Sequence, residues 1–168
     1  SLSAYSELVT AVYGHHNVSG NFGTLTVSNC SVTNCYAGVS AQHCDSTVVT
    51  NLTLTEVRYG FNYADTATVT ATNVTHTMSA ATTARTLSNS VPITITFDGL
   101  TATIADAQTA VIYSSAASNI TLRNSTITTS KAATANQTHV NLTSAAAVFT
   151  ASGNAHRAPN VASGPYIY

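Results

Sequence analysis

The chain has 168 residues, of which 44% are hydrophobic and only 7% charged, with a net charge of −1. That composition supports one packed domain and excludes intrinsic disorder, which needs high net charge and few β-branched residues. Five Lys and Arg make no phosphate-tracking stripe, and no apolar run approaches the ~18 residues of a membrane span. Neither nucleic acid nor a membrane is an expected partner.

From the N-terminus, Tyr5, Leu8, Val9 and Val12 recur at helical spacing, which predicts a capping helix over residues 3–13. Residues 1–23 are assigned to this cap and the first coil. His15 and His16 are adjacent, so on a strand they would point to opposite faces and make a poor metal pair.

From Thr24 the chain repeats itself. TLTVSNCSVTNCYAGV (from Thr24), TVVTNLTLTEVRYGF (from Thr47) and TVTATNVTHTMSAA (from Thr68) place Asn29, Asn51 and Asn73 in one column, 22 residues apart. Val27, Val49 and Ala71 share the column two residues earlier, Cys35 aligns with Val57, and Gly38-Val39 aligns with Gly60-Phe61. Further on, ITITFDGLTATI places Asp98 or Gly99 in the Asn column and NITLRNSTITTS places Asn124 there. Apolar residues alternate with Thr and Ser throughout, which is strand periodicity. Short strands joined by turns, at a period of about 22 to 26 residues, predict an all-β chain. The architecture is a right-handed parallel β-helix of about five or six coils over residues 24–151. Asn suits the column because it tolerates the left-handed conformation of a tight corner, and stacked amides hydrogen-bond from coil to coil. Residues 152–168 lose the pattern and are assigned to a C-terminal tail.

The three cysteines, Cys30, Cys35 and Cys44, form no C-x-x-C pair and are read as small buried hydrophobes. No cofactor is expected.

The N-x-x-[IVL] column, the T-x-T strands before it and the Gly-apolar corner resemble the pectin-lyase-like parallel β-helix superfamily. The low charge, the Thr, Ser and Ala richness and the SGN-type turn at Ser152 are most similar to bacteriophage tailspikes and tail fibres. This resemblance covers residues 20–145. It implies a parallel homotrimer on a virion, or another extracellular setting, that recognises bacterial surface polysaccharide.

The 22-residue offset sets Asn34 beside Glu56 and Tyr36 beside Arg58 on adjacent coils. Asn34, Tyr36, Glu56, Arg58 and Tyr59 then form a candidate sugar-binding patch, since sugars take hydrogen-bonding side chains and aromatic faces. The structural alternative is a surface Glu–Arg pair with tyrosines shielding a corner. For cleavage, Glu56 and Asp65 are the candidate acids, Asp65 being stacked beside His43. Glycoside hydrolysis needs two carboxylates, and the repeat sets no second one next to Glu56. A polysaccharide-degrading enzyme therefore stands as an alternative, most readily with a site shared between chains. A further alternative rests on the outward triplets before each Asn: Thr24-Thr26-Ser28, Ser46-Val48-Thr50, Thr68-Thr70-Thr72, Thr94-Thr96-Asp98 and Asn119-Thr121-Arg123. They look like the ice-binding face of β-solenoid antifreeze proteins, although Thr also simply suits an exposed strand.

Overall fold

The computed structural model describes residues 10–15, 23–63, 67–79, 84–105, 110–129, 138–157 and 166–167. Its strands are β1 (Thr10–His15), β2 (Thr24–Thr33), β3 (Ala37–Gln42), β4 (Ser46–Thr55), β5 (Tyr59–Tyr63), β6 (Ala67–Met78), β7 (Arg85–Asn89) and β8 (Ile93–Asp98). They continue as β9 (Thr101–Ile104), β10 (Ala110–Ser114), β11 (Asn119–Arg123), β12 (Thr126–Thr129), β13 (Thr138–Leu142), β14 (Val148–Ser152), β15 (Ala155–Arg157) and β16 (Tyr166–Ile167).

Every described pairing is parallel, and no helix occurs among the described residues, so the chain is an all-β parallel solenoid. One sheet stacks β1-β3-β5-β7-β10-β13-β16. The other begins as the long strands β2, β4 and β6. Beyond β6 each coil lays two shorter strands in place of one, β8 and β9, then β11 and β12, then β14 and β15.

The division falls at a single column of left-handed residues. Asn29, Asn51, Asn73 and Asn124 have φ of 51 to 54°, and Gly99 and Gly153 occupy the same position at 76° and 62°. Such a φ costs an L-residue roughly 1 kcal/mol or more, least for Asn and nothing for Gly. Asn offsets the cost where a neighbour is in reach: Asn51 Nδ2 donates to Asn29 Oδ1 at 2.9 Å, and Asn73 Nδ2 to Asn51 Oδ1 at 3.2 Å. The ladder stops at Gly99, not Asp98. A β-carbon on Gly99 would lie 3.0 Å from Asn73 Oδ1.

Between these corners the alternation works as strand geometry requires. Val27, Val49, Ala71, Phe97 and Leu122 line one inward column, and Val39, Phe61, Leu87, Ile112 and Val140 face them from the other sheet, all buried. Phe61 and Phe97 meet edge to face, ring centres 5.3 Å apart, which locks the two sheets together at mid-stack.

Two features depart from the pattern. Residues 10–13 lie in β1 instead of the expected capping helix, whose residues 3–9 lie outside the described ones. Val12 pairs with Val39 there, so parallel pairing onto β3 wins over the helical spacing. Beyond Ser152, where alternation fades from the sequence, β15 still pairs with β12 and β16 with β13. The inward positions of that coil carry Asn154 and His156 instead of aliphatic residues. Asn154 is held there by hydrogen bonds, accepting from the Ser125 amide at 3.0 Å and donating to the Leu122 carbonyl at 2.7 Å.

Candidate functional site

The candidate patch sits where β2 and β4 turn into the other sheet. Asn34 and Glu56 both hold left-handed backbone there, at φ 57° and 52°. Their amides donate to the carbonyls of Thr55 and Thr77 on the following coil, at 3.0 and 2.9 Å. The Arg58 amide donates to the Cys35 carbonyl and the Tyr59 amide to Tyr36, at 3.1 and 2.9 Å, which fixes the 22-residue register through the corner.

This register brings together three of the five expected side chains. The Tyr36 and Tyr59 rings meet edge to face, centres 5.1 Å apart. The Arg58 guanidinium lies 5.7 Å from the first ring centre and 5.3 Å from the second. Its Nε is buried without a hydrogen-bond partner, so ring stacking orients the group. Burial pushes the Tyr36 hydroxyl pKa up, with the neighbouring Tyr59 adding to the effect and Arg58 opposing it. Both tyrosines are half-buried.

Glu56 and Asn34 serve the corner instead. One Glu56 carboxylate oxygen accepts from the Ser79 amide at 2.9 Å and from the Ser79 hydroxyl at 2.5 Å, on the next coil. Asp65 lies outside the described residues, so its stacking on His43 is not part of this geometry.

Two residues that sequence reasoning missed extend the patch. The Arg85 amide donates to the Arg58 carbonyl at 2.9 Å, and the Arg85 guanidinium stacks 4.0 Å over the Tyr113 ring while donating to Ser88 Oγ at 3.2 Å. The repeat offset grows to 26 between Tyr59 and Arg85 and to 25 between Leu87 and Ile112, which hides both from a 22-residue alignment.

A second surface, equally hidden, lies on the far side of the left-handed corner. Two residues after each corner, the outward positions read Ser31-x-Thr33, Thr53-x-Thr55, Thr75-x-Thr77, Thr101-x-Thr103 and Thr126-x-Thr128. They pair directly from coil to coil, making two uninterrupted hydroxyl columns over five coils. The triplet face before the corner is less regular, as its sequence implies: Val48 is exposed, and Asp98 accepts from Arg123 at 3.0 Å and from Asn124 at 2.8 Å.

The cysteines are unpaired thiols, each directed at the carbonyl two residues before it. Among the described residues no group of three or more His, Cys, Asp or Glu is placed to hold a metal. Comparison with known proteins finds no match to any family model, curated protein or solved structure.

Proposed function

We propose that this chain is the glycan-recognising segment of a phage tail fibre or tailspike, a parallel homotrimer that binds bacterial surface polysaccharide without cleaving it. The observation that carries the reading is Arg58 packed against the touching rings of Tyr36 and Tyr59 at the corner. Aromatic faces give a sugar ring its apolar contact, and a guanidinium oriented by stacking offers planar donors to hydroxyls or ring substituents. The neighbouring Arg85–Tyr113 stack extends the row along the axis, with Arg85 buried beneath and Tyr113 half-buried. Binding without cleavage is supported by Glu56, whose carboxylate is engaged by the Ser79 amide and hydroxyl.

The test is binding of the purified chain to a panel of immobilised bacterial surface polysaccharides, with Tyr59→Ala and Arg58→Ala alongside. Each variant is expected to lose about tenfold or more in affinity for the polysaccharide bound by wild type, the loss of one good aromatic or guanidinium contact. Reducing ends should not accumulate, and light scattering should return three chains per particle. Variants that bind as wild type, or a wild type that binds nothing on the panel, would end this reading.

A second reading is favoured by the two hydroxyl columns. Their members lie about 4.8 Å apart from coil to coil and about 6.7 Å apart along each strand. Such a flat array of hydroxyls and methyls suits ordered water better than a soluble ligand, as in the ice-binding solenoids this surface resembles. Thermal hysteresis in wild type that disappears in Thr75→Tyr would establish it. Ice crystals growing unhindered in wild-type protein would dismiss it.

A further inference from the structure

The last described coils contain a contact that the glycan reading does not use. His139 on β13 and His156 on β15 face each other across the interior, Nδ1 to Nδ1 at 3.0 Å, with ring centres 5.2 Å apart. His139 is buried, and its other ring nitrogen lies 3.2 Å from Thr129 Oγ1. We propose that this imidazole pair is an acid-released latch that holds β15 onto the end of the solenoid.

Proton counting drives the mechanism. An Nδ1-to-Nδ1 hydrogen bond needs one N–H and one lone pair. Two neutral rings supply this by adopting complementary tautomers. A single added proton can still be held between the rings. A second proton leaves two N–H groups, each on a cation, facing each other at 3.0 Å, with His139 buried and His156 half-buried. The contact then has to open. β15 is only three residues long, so its pairing with β12 and the Asn154 hydrogen bonds at its start are what the opened contact leaves to hold it.

Among the described residues of β10, β12 and β14, none supplies a counter-charge to the pair. By register, β10 places Val111 beside His139, and β12 places Ile127 beside His156 and Thr129 against His139. Among the described residues, no carboxylate, thiol, phenol or further cation faces the pair from these strands or from β14, and β16, paired on β13, sets Tyr166 beside Thr138, one position from His139. Tyr113 on β10 lies on the outer face under Arg85. Burial, followed by the neighbouring His156, pushes the His139 pKa down to about 4, and burial lowers that of His156. The pair thus stays closed at neutral pH, and it opens as pH falls from 6.5 toward 4.

An earlier coil fills the same two positions differently. The column that ends in His156 runs back through Ile127 and Ala102 to His76, and the column that ends in His139 runs back through Val111 to Thr86. In that earlier coil the partners are His76 and Thr86, Nδ1 to Oγ1 at 3.0 Å. A hydroxyl donates or accepts, so it keeps its bond when the imidazole is protonated. The later coil replaces that adaptable hydroxyl with a second imidazole.

Amide hydrogen exchange of the full chain at pH 7 and pH 4.5, corrected for intrinsic rates, tests the latch. Protection at Thr138–Leu142 and Ala155–Arg157, measured relative to β4, should fall about tenfold or more in acid. In His139→Thr, which copies Thr86, only the smaller effect of burying His156 remains, so the acid-dependent fall should shrink several-fold. Unchanged relative protection in wild type, or the same fall in a folded His139→Thr, overturns the proposal. Imidazole ¹⁵N shifts of wild type give a check that needs no variant. One bare and one protonated Nδ1 at pH 7 are expected, and two protonated Nδ1 atoms with the coil still protected at pH 4.5 would refute the latch.

Discussion

Glu56 reaches across one coil to Ser79, its carboxylate accepting both the amide and the hydroxyl of that residue. A residue that sequence reasoning offers as a catalytic acid thus ties the short corner of one coil to the residue just after β6 on the next. Glu56 also holds a left-handed φ of 52°, as Asn34 does one coil earlier at 57°. The position is specified by backbone conformation and a hydrogen-bonding acceptor, and a carboxylate meets both needs.

Removing that acceptor should therefore lower stability. Glu56→Ala deletes two hydrogen bonds to a charged group and should cost about 1.5–3 kcal/mol by urea denaturation. Glu56→Gln keeps an acceptor and should cost less than half as much. Polysaccharide binding by either folded variant should match wild type. A Glu56→Ala protein as stable as wild type would show that the Ser79 contact contributes nothing.

The Asn ladder gives a second expectation. Asn51 both donates to Asn29 and accepts from Asn73, so Asn51→Ala breaks two coil-to-coil bonds and puts an unsuited residue at φ 54°. Together these should cost about 2–3 kcal/mol. Asn51→Gly loses the same bonds and relieves the backbone, so it should fall between wild type and Asn51→Ala. If Asn51→Gly proves the less stable of the two variants, tolerance of left-handed backbone is not what selects the residue in this column.

The same column marks how far the sequence can be read. Where Asn29, Asn51 and Asn73 repeat at constant spacing, side-chain neighbours follow directly, and Tyr36, Arg58 and Tyr59 are legible as a group from that spacing alone. Past Met78 the corner lengthens, and the next strand of the other sheet starts only at Arg85, so neighbours shift by an amount that no residue announces. Arg85 and Tyr113 are hidden for that reason. The hydroxyl columns from Ser31 to Thr128 are hidden for another: Thr flanks the corner on both sides, and alternation alone does not say which side continues unbroken. Val12 misleads because its spacing from Leu8 and Val9 fits a helix, while its pairing with Val39 is long-range.

Acid should weaken the middle of the stack as well as its end, by a different route. His76 is buried, with Nε2 donating to the Val57 carbonyl at 2.8 Å and Nδ1 accepting from Thr86. Burial drives its pKa from 6.5 down to about 4, against smaller opposing effects of the Val57 hydrogen bond and Glu56. The unfolded chain then binds this proton more tightly than the folded one. Stability from His76 is complete above pH 6.5, declines as pH falls below that value, and is lost by about pH 4. The full contribution is on the order of 3 kcal/mol. Urea midpoints from pH 7 to pH 4 should trace this decline, and the His76 ring proton should not titrate above pH 5. A ring that titrates near 6.5 in folded protein would contradict the burial account.

Gly60 tests how closely the coils pack beneath the candidate patch. Its backbone is unstrained, and its need for glycine comes from approach: a β-carbon there would lie 2.8 Å from the Thr86 carbonyl oxygen and 3.0 Å from Leu54 Cδ1. Gly38, one coil earlier, meets the Gly60 carbonyl and Leu54 at 2.8 Å in the same way. Both belong to the Gly-apolar pairs that recur beside Val39 and Phe61. Because the obstacle is backbone on the next coil, a substituted side chain cannot turn away from it. The strands must separate locally, and Gly60→Ala should cost about 1–3 kcal/mol, the usual range for overpacking. The separation would also shift Tyr59, the residue before it, so the variant should lose glycan affinity along with stability. Gly60→Ala at full stability would mean that the coils can part here at no cost, and that the Gly-apolar corner is not set by close packing.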